Sequence, residues 1–238
     1  MNITSEYVQL SVADGTSMHA YSALPSKPGV YPGLIIFQEA FGVNHHIRDV
    51  AERFAREGYI AIAPELYHRS TEKGFEANYN DFAAVQSHLH QTSNETFELD
   101  SRAVWNWLIS HPQIQEGSIA SIGYCMGGRA SFVANTILPL KAAISYYGGR
   151  IAPDLMKSAP SLHAPMLFFW GGLDKHIPPE QIQSVMKELR NAGKQFINVE
   201  FSNADHAFFC DERPSYNEQA AKESWVMTLE FLKNKLAP

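Results

Sequence analysis

The chain predicts an α/β fold: a mostly parallel sheet with helices on both faces, opened by an N-terminal antiparallel hairpin. Three observations carry this. From Leu34 onward, short apolar runs alternate with stretches of helical spacing, the pattern of parallel strands joined by crossover helices. Leu34-Ile35-Ile36-Phe37 is apolar without alternation, as a strand buried on both faces must be. Before it, Glu6 to Val12 and Met18 to Ala23 flank Asp14-Gly15, a hairpin signal. The length of 238 residues suits a single α/β domain, taken as 1–238.

The elements follow in order. Pro25 to Pro32 reads as a loop before the first buried strand. Asn44 to Glu57 reads as a helix, with Gly58 suited to end it. Tyr59 to Ala63 is a strand stopped by Pro64. Glu65 to Glu95 is polar, with some helical pattern around Asp81 to His90. Phe97 to Ser110 is a helix with Trp105 and Leu108 among its apolar positions. Ser118 to Ile122 is a β-branched run, and Arg129 to Ala134 is compatible with helix. Ala142 to Tyr147, Met166 to Trp170 and Phe196 to Phe201 are strands. Pro179 to Ala192 is a helix ending near Gly193. A last helix, Glu218 to Lys235, precedes Leu236, and Trp225, Leu229, Leu232 and Leu236 recur at helical spacing.

Composition narrows the function. The chain is 45% hydrophobic and 18% charged, ordinary for a globular protein. A net charge of -6 with no Lys/Arg cluster argues against a nucleic-acid partner. No apolar stretch approaches the roughly 18 residues of a membrane span, so no membrane partner is expected. The N-terminus has neither the basic start nor the apolar run of a signal peptide. Cys125 and Cys210 are the two cysteines, a number that fits a reducing compartment. The expectation is a cytoplasmic protein, with a monomer favoured.

The chemistry is carried by Gly123-Tyr124-Cys125-Met126-Gly127-Gly128. Strand, sharp turn, helix is the setting of a nucleophile elbow. Glycines two residues either side of Cys125 permit the tight turn. A thiol is a strong nucleophile only as thiolate, so another group must control its ionisation. In such a fold the partners follow the elbow in the order acid, then histidine. Phe168 to Asp174 is a strand, a glycine turn and a carboxylate; Val199 to His206 is a strand and a loop bearing a histidine. His206 would accept the thiol proton and later activate water, while Asp174 would orient and stabilise the ring. Asp205 competes for the acid role, although a neighbour in sequence is poorly placed to hold the ring. The segment Phe37 to Asn44 ends the first buried strand. The backbone N–H groups of Ala40 and Met126 are the candidate oxyanion donors. Glu39 is then a carboxylate beside a thiol, or else a salt-bridge partner of Arg48 or Arg53.

His45-His46 and His88-x-His90 raise a metal reading, but neither pair has the spacing or attached carboxylate of a zinc helix. No metal and no cofactor are expected. Phe41, Tyr67, Tyr124, Tyr146, Trp170 and Phe208 are candidates for an apolar, aromatic-lined pocket.

Four segments resemble the dienelactone hydrolase family: Gln38 to Asn44, Gly123 to Gly128, Gly171 to Asp174 with Pro178, and His206-Ala207-Phe208. The resemblance extends from about Leu34 to the last helix. It implies the α/β-hydrolase fold and a hydrolase of small esters or lactones, working through a thioester on Cys125. It also implies that Glu39 takes the thiol proton when substrate arrives. Family arginines that bind a substrate carboxylate have no counterpart here: Tyr79 to His90 contains none, and Cys210 stands four residues after His206. Arg69 and Arg213 are the nearby replacements. The contrasting reading is a catalytically silent relative that binds a small molecule.

Overall fold

The computed structural model describes residues 1–237; Pro238, the end of the expected single domain, lies outside them. The strands are β1 (Ile3–Ser11), β2 (Ser17–Pro25), β3 (Tyr31–Phe37), β4 (Ile60–Pro64), β5 (Ile114–Tyr124), β6 (Ala142–Tyr146), β7 (Met166–Gly171) and β8 (Phe196–Phe201). The helices are α1 (His45–Arg56), α2 (Phe82–Gln91), α3 (Asn94–Ser110), α4 (Met126–Ile137), α5 (Pro179–Asn191) and α6 (Glu218–Leu236). The sheet order is β1-β2-β4-β3-β5-β6-β7-β8. β1 and β2 pair antiparallel, as does β2 with β4. The pairs β3–β4, β6–β7 and β7–β8 are parallel. This is the mostly parallel sheet with an N-terminal hairpin that the sequence predicts.

The chain forms two compact units, Met1–Ala120 and the remainder from Ser121. In the first unit the hairpin turns where Asp14 Oδ1 accepts from the Thr16 amide (3.0 Å) and hydroxyl (2.6 Å). Gly15 takes φ +86° there, a value that costs glycine little. Every residue of Leu34–Phe37 and Ile60–Ala63 has 0% exposure, which explains their unbroken apolar sequence. α1 is capped by Asn44, whose side chain accepts from the Ile47 amide. Its buried residues His46, Ile47, Val50, Ala51, Phe54 and Ala55 recur every three to four positions, so one stripe faces the core. Gly58, at φ +93°, lets the chain leave the helix end.

Some boundaries move for physical reasons. α3 starts at Asn94 rather than Phe97, because Ser93 and Thr96 form a reciprocal capping box. Pro64 remains in β4, opposite Ala20. α4 begins directly after Cys125. A short 3₁₀ helix at Met156–Ser161 and an isolated bridge between Gly42 and Glu76 carried no sequence signal.

In the second unit Ala142–Ile144, Tyr146, Met166, Phe168 and Phe169 are fully buried. α5 packs Ile182, Val185, Met186 and Leu189 inward. Tyr146 on β6 hydrogen-bonds Thr228 on α6 at 2.7 Å. Among the described residues, no helix is long and apolar enough to cross a membrane.

One buried ionic group ties the first unit together. Asp100, on α3, has 0% side-chain exposure and accepts from Arg69 Nη1 (3.1 Å) and Nη2 (2.8 Å). His68 Nε2 lies 3.2 Å from the same carboxylate. Arg69 Nε also donates to Asp14 in the hairpin turn, at 2.8 Å. Removing one member of a buried pair leaves the other uncompensated. Asp100→Ala should therefore cost about 3 kcal/mol, near the low end for buried pairs, because the Arg69 side chain is 20% exposed. Urea unfolding of the variant checks this; an unchanged midpoint would show that the pair contributes no stability.

Candidate active site

β5 ends at Tyr124 and α4 starts at Met126, so Cys125 alone makes the turn. Its backbone sits at φ 54°, ψ -117°, a region that side-chain-bearing residues avoid at a cost of about 1–3 kcal/mol. The surroundings enforce it. The Cys125 amide donates to the Tyr146 carbonyl at 3.0 Å, and the Cys125 carbonyl accepts from the Gly128 amide at 3.0 Å. A Cβ on Gly123 would lie 1.8 Å from the Gly127 carbonyl oxygen. A Cβ on Gly128 would lie 2.7 Å from the Gly148 Cα and 2.6 Å from Ser145 Oγ. Both positions must be glycine for the strand and helix to meet this closely. Cys125 is a free, partly exposed thiol.

The loops after β7 and β8 bring Asp174 and His206 together. Asp174 Oδ2 accepts from His206 Nδ1 at 2.7 Å, and Oδ1 accepts from the His176 amide at 2.7 Å. The Asp174 side chain is 1% exposed and that of His206 13%. Cys125 lies near enough to the His206 ring to shift its ionisation. With Nδ1 held by the acid, Nε2 is the nitrogen left for the thiol. Burial opposes ionisation of Asp174, but the hydrogen bond and charge of His206, with help from His176, hold its carboxyl below the usual range. Burial likewise opposes a charged His206. The charge of Cys125, the hydrogen bonds to Asp174 and Cys125, and the charge of Asp174 outweigh it, pushing the imidazole up to about 10.

Asp205 does other work: its Oδ1 accepts from the backbone amide of His206 at 2.6 Å. Of the two carboxylates, Asp174 is the one on the ring. Two neighbours escaped the sequence reading. The Tyr147 ring lies 5.1 Å from that of His206, and the His176 ring 5.3 Å. Their signal was position: Tyr147 sits at the carboxyl end of β6, and His176 two residues beyond Asp174. Tyr147 has φ 38°, and Ala207, directly after the histidine, has φ 62°. Cys210 is buried, with its amide donating to the Ala207 carbonyl at 3.0 Å.

In the first unit, Glu39, Ala40, Phe41 and Tyr67 are each at most 4% exposed. The Gln38 amide donates to the Glu39 carbonyl at 3.1 Å, and the Tyr67 hydroxyl donates to the Ala40 carbonyl at 2.9 Å. The Phe41 carbonyl accepts from the Ala77 amide at 3.1 Å. Gly42, at φ +87°, leaves no room for a Cβ, which would fall 2.2 Å from the Phe75 carbonyl oxygen. Arg48 pairs with Glu76, and Arg53 with Asp49. The Arg69 guanidinium is engaged by Asp100 and Asp14 as described above.

Several pocket candidates sit in the core. Tyr124, Tyr146, Trp170 and Phe208 are at most 1% exposed. Trp170 Nε1 donates to Asn198 at 2.7 Å. The Phe208 ring packs 5.4 Å from that of Phe201. Residues at the ends of inner strands are covered on both faces, so aromatic character there reports packing first. Arg213 is half-buried in the segment after Cys210. His88 Nδ1 bonds Ser70 Oγ at 2.9 Å. Among the described residues, no group of three or more His, Cys, Asp or Glu is placed to hold a metal ion.

The chain resembles known proteins over nearly its whole length. Residues 18–236 match the sequence profile of the dienelactone hydrolase family. A Salmonella typhimurium protein named "Putative carboxymethylenebutenolidase" is 36% identical over 92% of this chain and 83% of its own. A Synechocystis protein of the same name is 35% identical over 91% of each. A Klebsiella pneumoniae crystal structure, described as "Putative Dienelactone Hydrolase", superposes with a TM-score of 0.88 at 31% identity. It covers 98% of this chain and 99% of that one. With an elbow, an acid and a histidine in the order this fold uses, and a profile match from β2 to α6, the chain belongs to the dienelactone hydrolase family and is a hydrolase.

Proposed function

We propose that the chain hydrolyses small neutral esters or lactones by a Cys125–His206–Asp174 triad through a thioester. The observation that carries this is the 2.7 Å bond that holds the His206 ring against Asp174, with the elbow thiol acting on the same ring. His206 takes the thiol proton, and the Cys125 sulfur attacks the substrate carbonyl. The carbonyl π electrons move onto oxygen, which the Met126 and Ala40 amides are assigned to receive. The intermediate collapses, expelling the alcohol with the proton that His206 returns. His206 then takes a proton from water, the hydroxide attacks the thioester, and the thiol is regenerated as the acid departs. Glu39 is assigned from the family resemblance as the carboxylate that governs when thiolate forms. Among the described residues neither cysteine is in a disulfide, which fits a reducing cytoplasm.

The relatives' name points to a carboxylate-bearing dienelactone as their substrate. This chain departs from that at the anion-binding positions. The Arg69 guanidinium is already held by two carboxylates, and Tyr79 to His90 has no arginine. A silent binding protein is the weaker reading, because it gives no reason for an intact acid–histidine–thiol chain.

Cys125→Ala should abolish p-nitrophenyl acetate hydrolysis, whereas Cys210→Ala should keep most of it. Equal loss in both would sink the assignment of the nucleophile.

Asp174→Asn should lower turnover by up to about 10⁴, the loss when the wrong tautomer is held in a serine enzyme. It should also lower the His206 pKa, because it removes a charge and an acceptor that favour the imidazolium. An imidazole ¹⁵N titration of wild type and variant reads this directly; a His206 titration unchanged between the two would count against the pairing.

Neutral esters and lactones should be turned over faster than carboxylate-bearing ones. A hundredfold preference for a carboxylate-bearing dienelactone, about 2.7 kcal/mol in transition-state binding, would reverse that half of the reading.

A further inference from the structure

The Glu39 carbonyl and the Ala40 amide belong to one planar peptide unit, where C=O and N–H point in opposite directions. Holding the carbonyl therefore aims the N–H. Gln38 Nε2 holds it at 3.1 Å, and Gln38 Oε1 accepts from the Leu66 amide at 3.0 Å. The Gln38 side chain cannot turn without breaking a bond at each end. It is 1% exposed, so no water replaces either bond cheaply.

The next peptide unit is held as well. The Ala40 carbonyl accepts from the Tyr67 hydroxyl at 2.9 Å. Tyr67 is 3% exposed, and its ring packs 6.2 Å from Phe75 and 5.7 Å from His88. Its own carbonyl accepts from the Ser70 amide at 2.8 Å and the Thr71 amide at 3.0 Å. Both peptide planes that meet at the Ala40 Cα are thus fixed by side chains anchored at β4's end and the loop after it. Satisfying buried carbonyls needs only some donor. Here the two held planes bracket the one residue of this loop whose N–H the reaction is proposed to use.

We propose that Gln38 and Tyr67 are positioning residues that preset the Ala40 N–H as an oxyanion donor, Gln38 by holding its peptide plane and Tyr67 by locking the next. The proposal rests on the reading of Ala40 as a donor in the hydrolysis above.

Tyr67→Phe and Gln38→Met test it, with p-nitrophenyl acetate kinetics and iodoacetamide alkylation of Cys125 measured on each. Displacement of iodide at saturated carbon builds no oxyanion, so alkylation reports the thiol alone. In each variant kcat should fall at least about tenfold, toward the 10²–10³ of a deleted donor. KM should stay within about twofold, as for an interaction made only in the transition state. The alkylation rate should match wild type. Unchanged kcat in both variants overturns the proposal, and so does alkylation falling in step with kcat, which marks general damage. A loss confined to one variant overturns the role of the other residue. If Gln38→Met does not fold, Tyr67→Phe decides by the same criteria. A wild-type enzyme without Cys125-dependent turnover overturns the catalytic reading and this one together; unchanged kcat in variants of an active enzyme overturns the positioning role alone.

Discussion

Gly123 and Gly127 approach so closely that a single methyl at Gly123 would sit 1.8 Å from a carbonyl oxygen. This meeting of strand and helix sets the geometry of the turn between β5 and α4. It forces Cys125 to turn the chain alone, with φ 54°. The turn lifts the thiol off the end of the sheet rather than burying it among strand side chains. β7 and β8 bring Asp174 and His206 on the loops at their own carboxyl ends, the region where such sheets gather reactive groups. The 2.7 Å bond between His206 and Asp174 is the result.

The first unit solves a different problem, that of buried polar groups. Its loops carry many of them, and each must find a partner inside the protein. Buried Asp100 is met by Arg69 and His68, and Arg69 reaches on to Asp14 in the hairpin turn. Glu65 answers with a backbone amide, accepting from Gly74 at 3.0 Å. The same requirement draws the segment after β4 against the loop after β3, where Gly42 bridges to Glu76. Charge placed for stability in this way is no longer offered to a ligand. That is why an arginine near a site in sequence need not serve the site.

Much of this was legible in the sequence because the signals are local. Parallel inner strands declare themselves by unbroken apolar runs, as at Leu34–Phe37 and Ile60–Ala63. Helix ends are marked by Asn44, Asp81 and Gly58, each a cap with a backbone reason. The elbow and its followers were legible because their spacing and order are imposed by the fold. What was not legible depends on contacts between distant segments. Nothing at Tyr146 announces that its hydroxyl meets Thr228, 82 positions away. Aromatic residues at strand ends look alike in sequence whether they pack or line a pocket. The capping box at Ser93 uses threonine in place of the usual acid or amide, so the sequence pattern places the start of α3 three residues late.

Among the described residues, four non-glycine residues have left-handed backbone, and three lie at the proposed site: Cys125, Tyr147 and Ala207. Each is held there at an energetic cost by the surrounding structure. The molecule therefore keeps three of its costliest conformations where its chemistry is proposed to be. An engineer selecting variants for heat tolerance alone would find easy gains by relaxing those residues, Ala207 among them, with a glycine. The selected enzymes would outlast the parent and do less, since hardiness and turnover draw on the same few torsion angles.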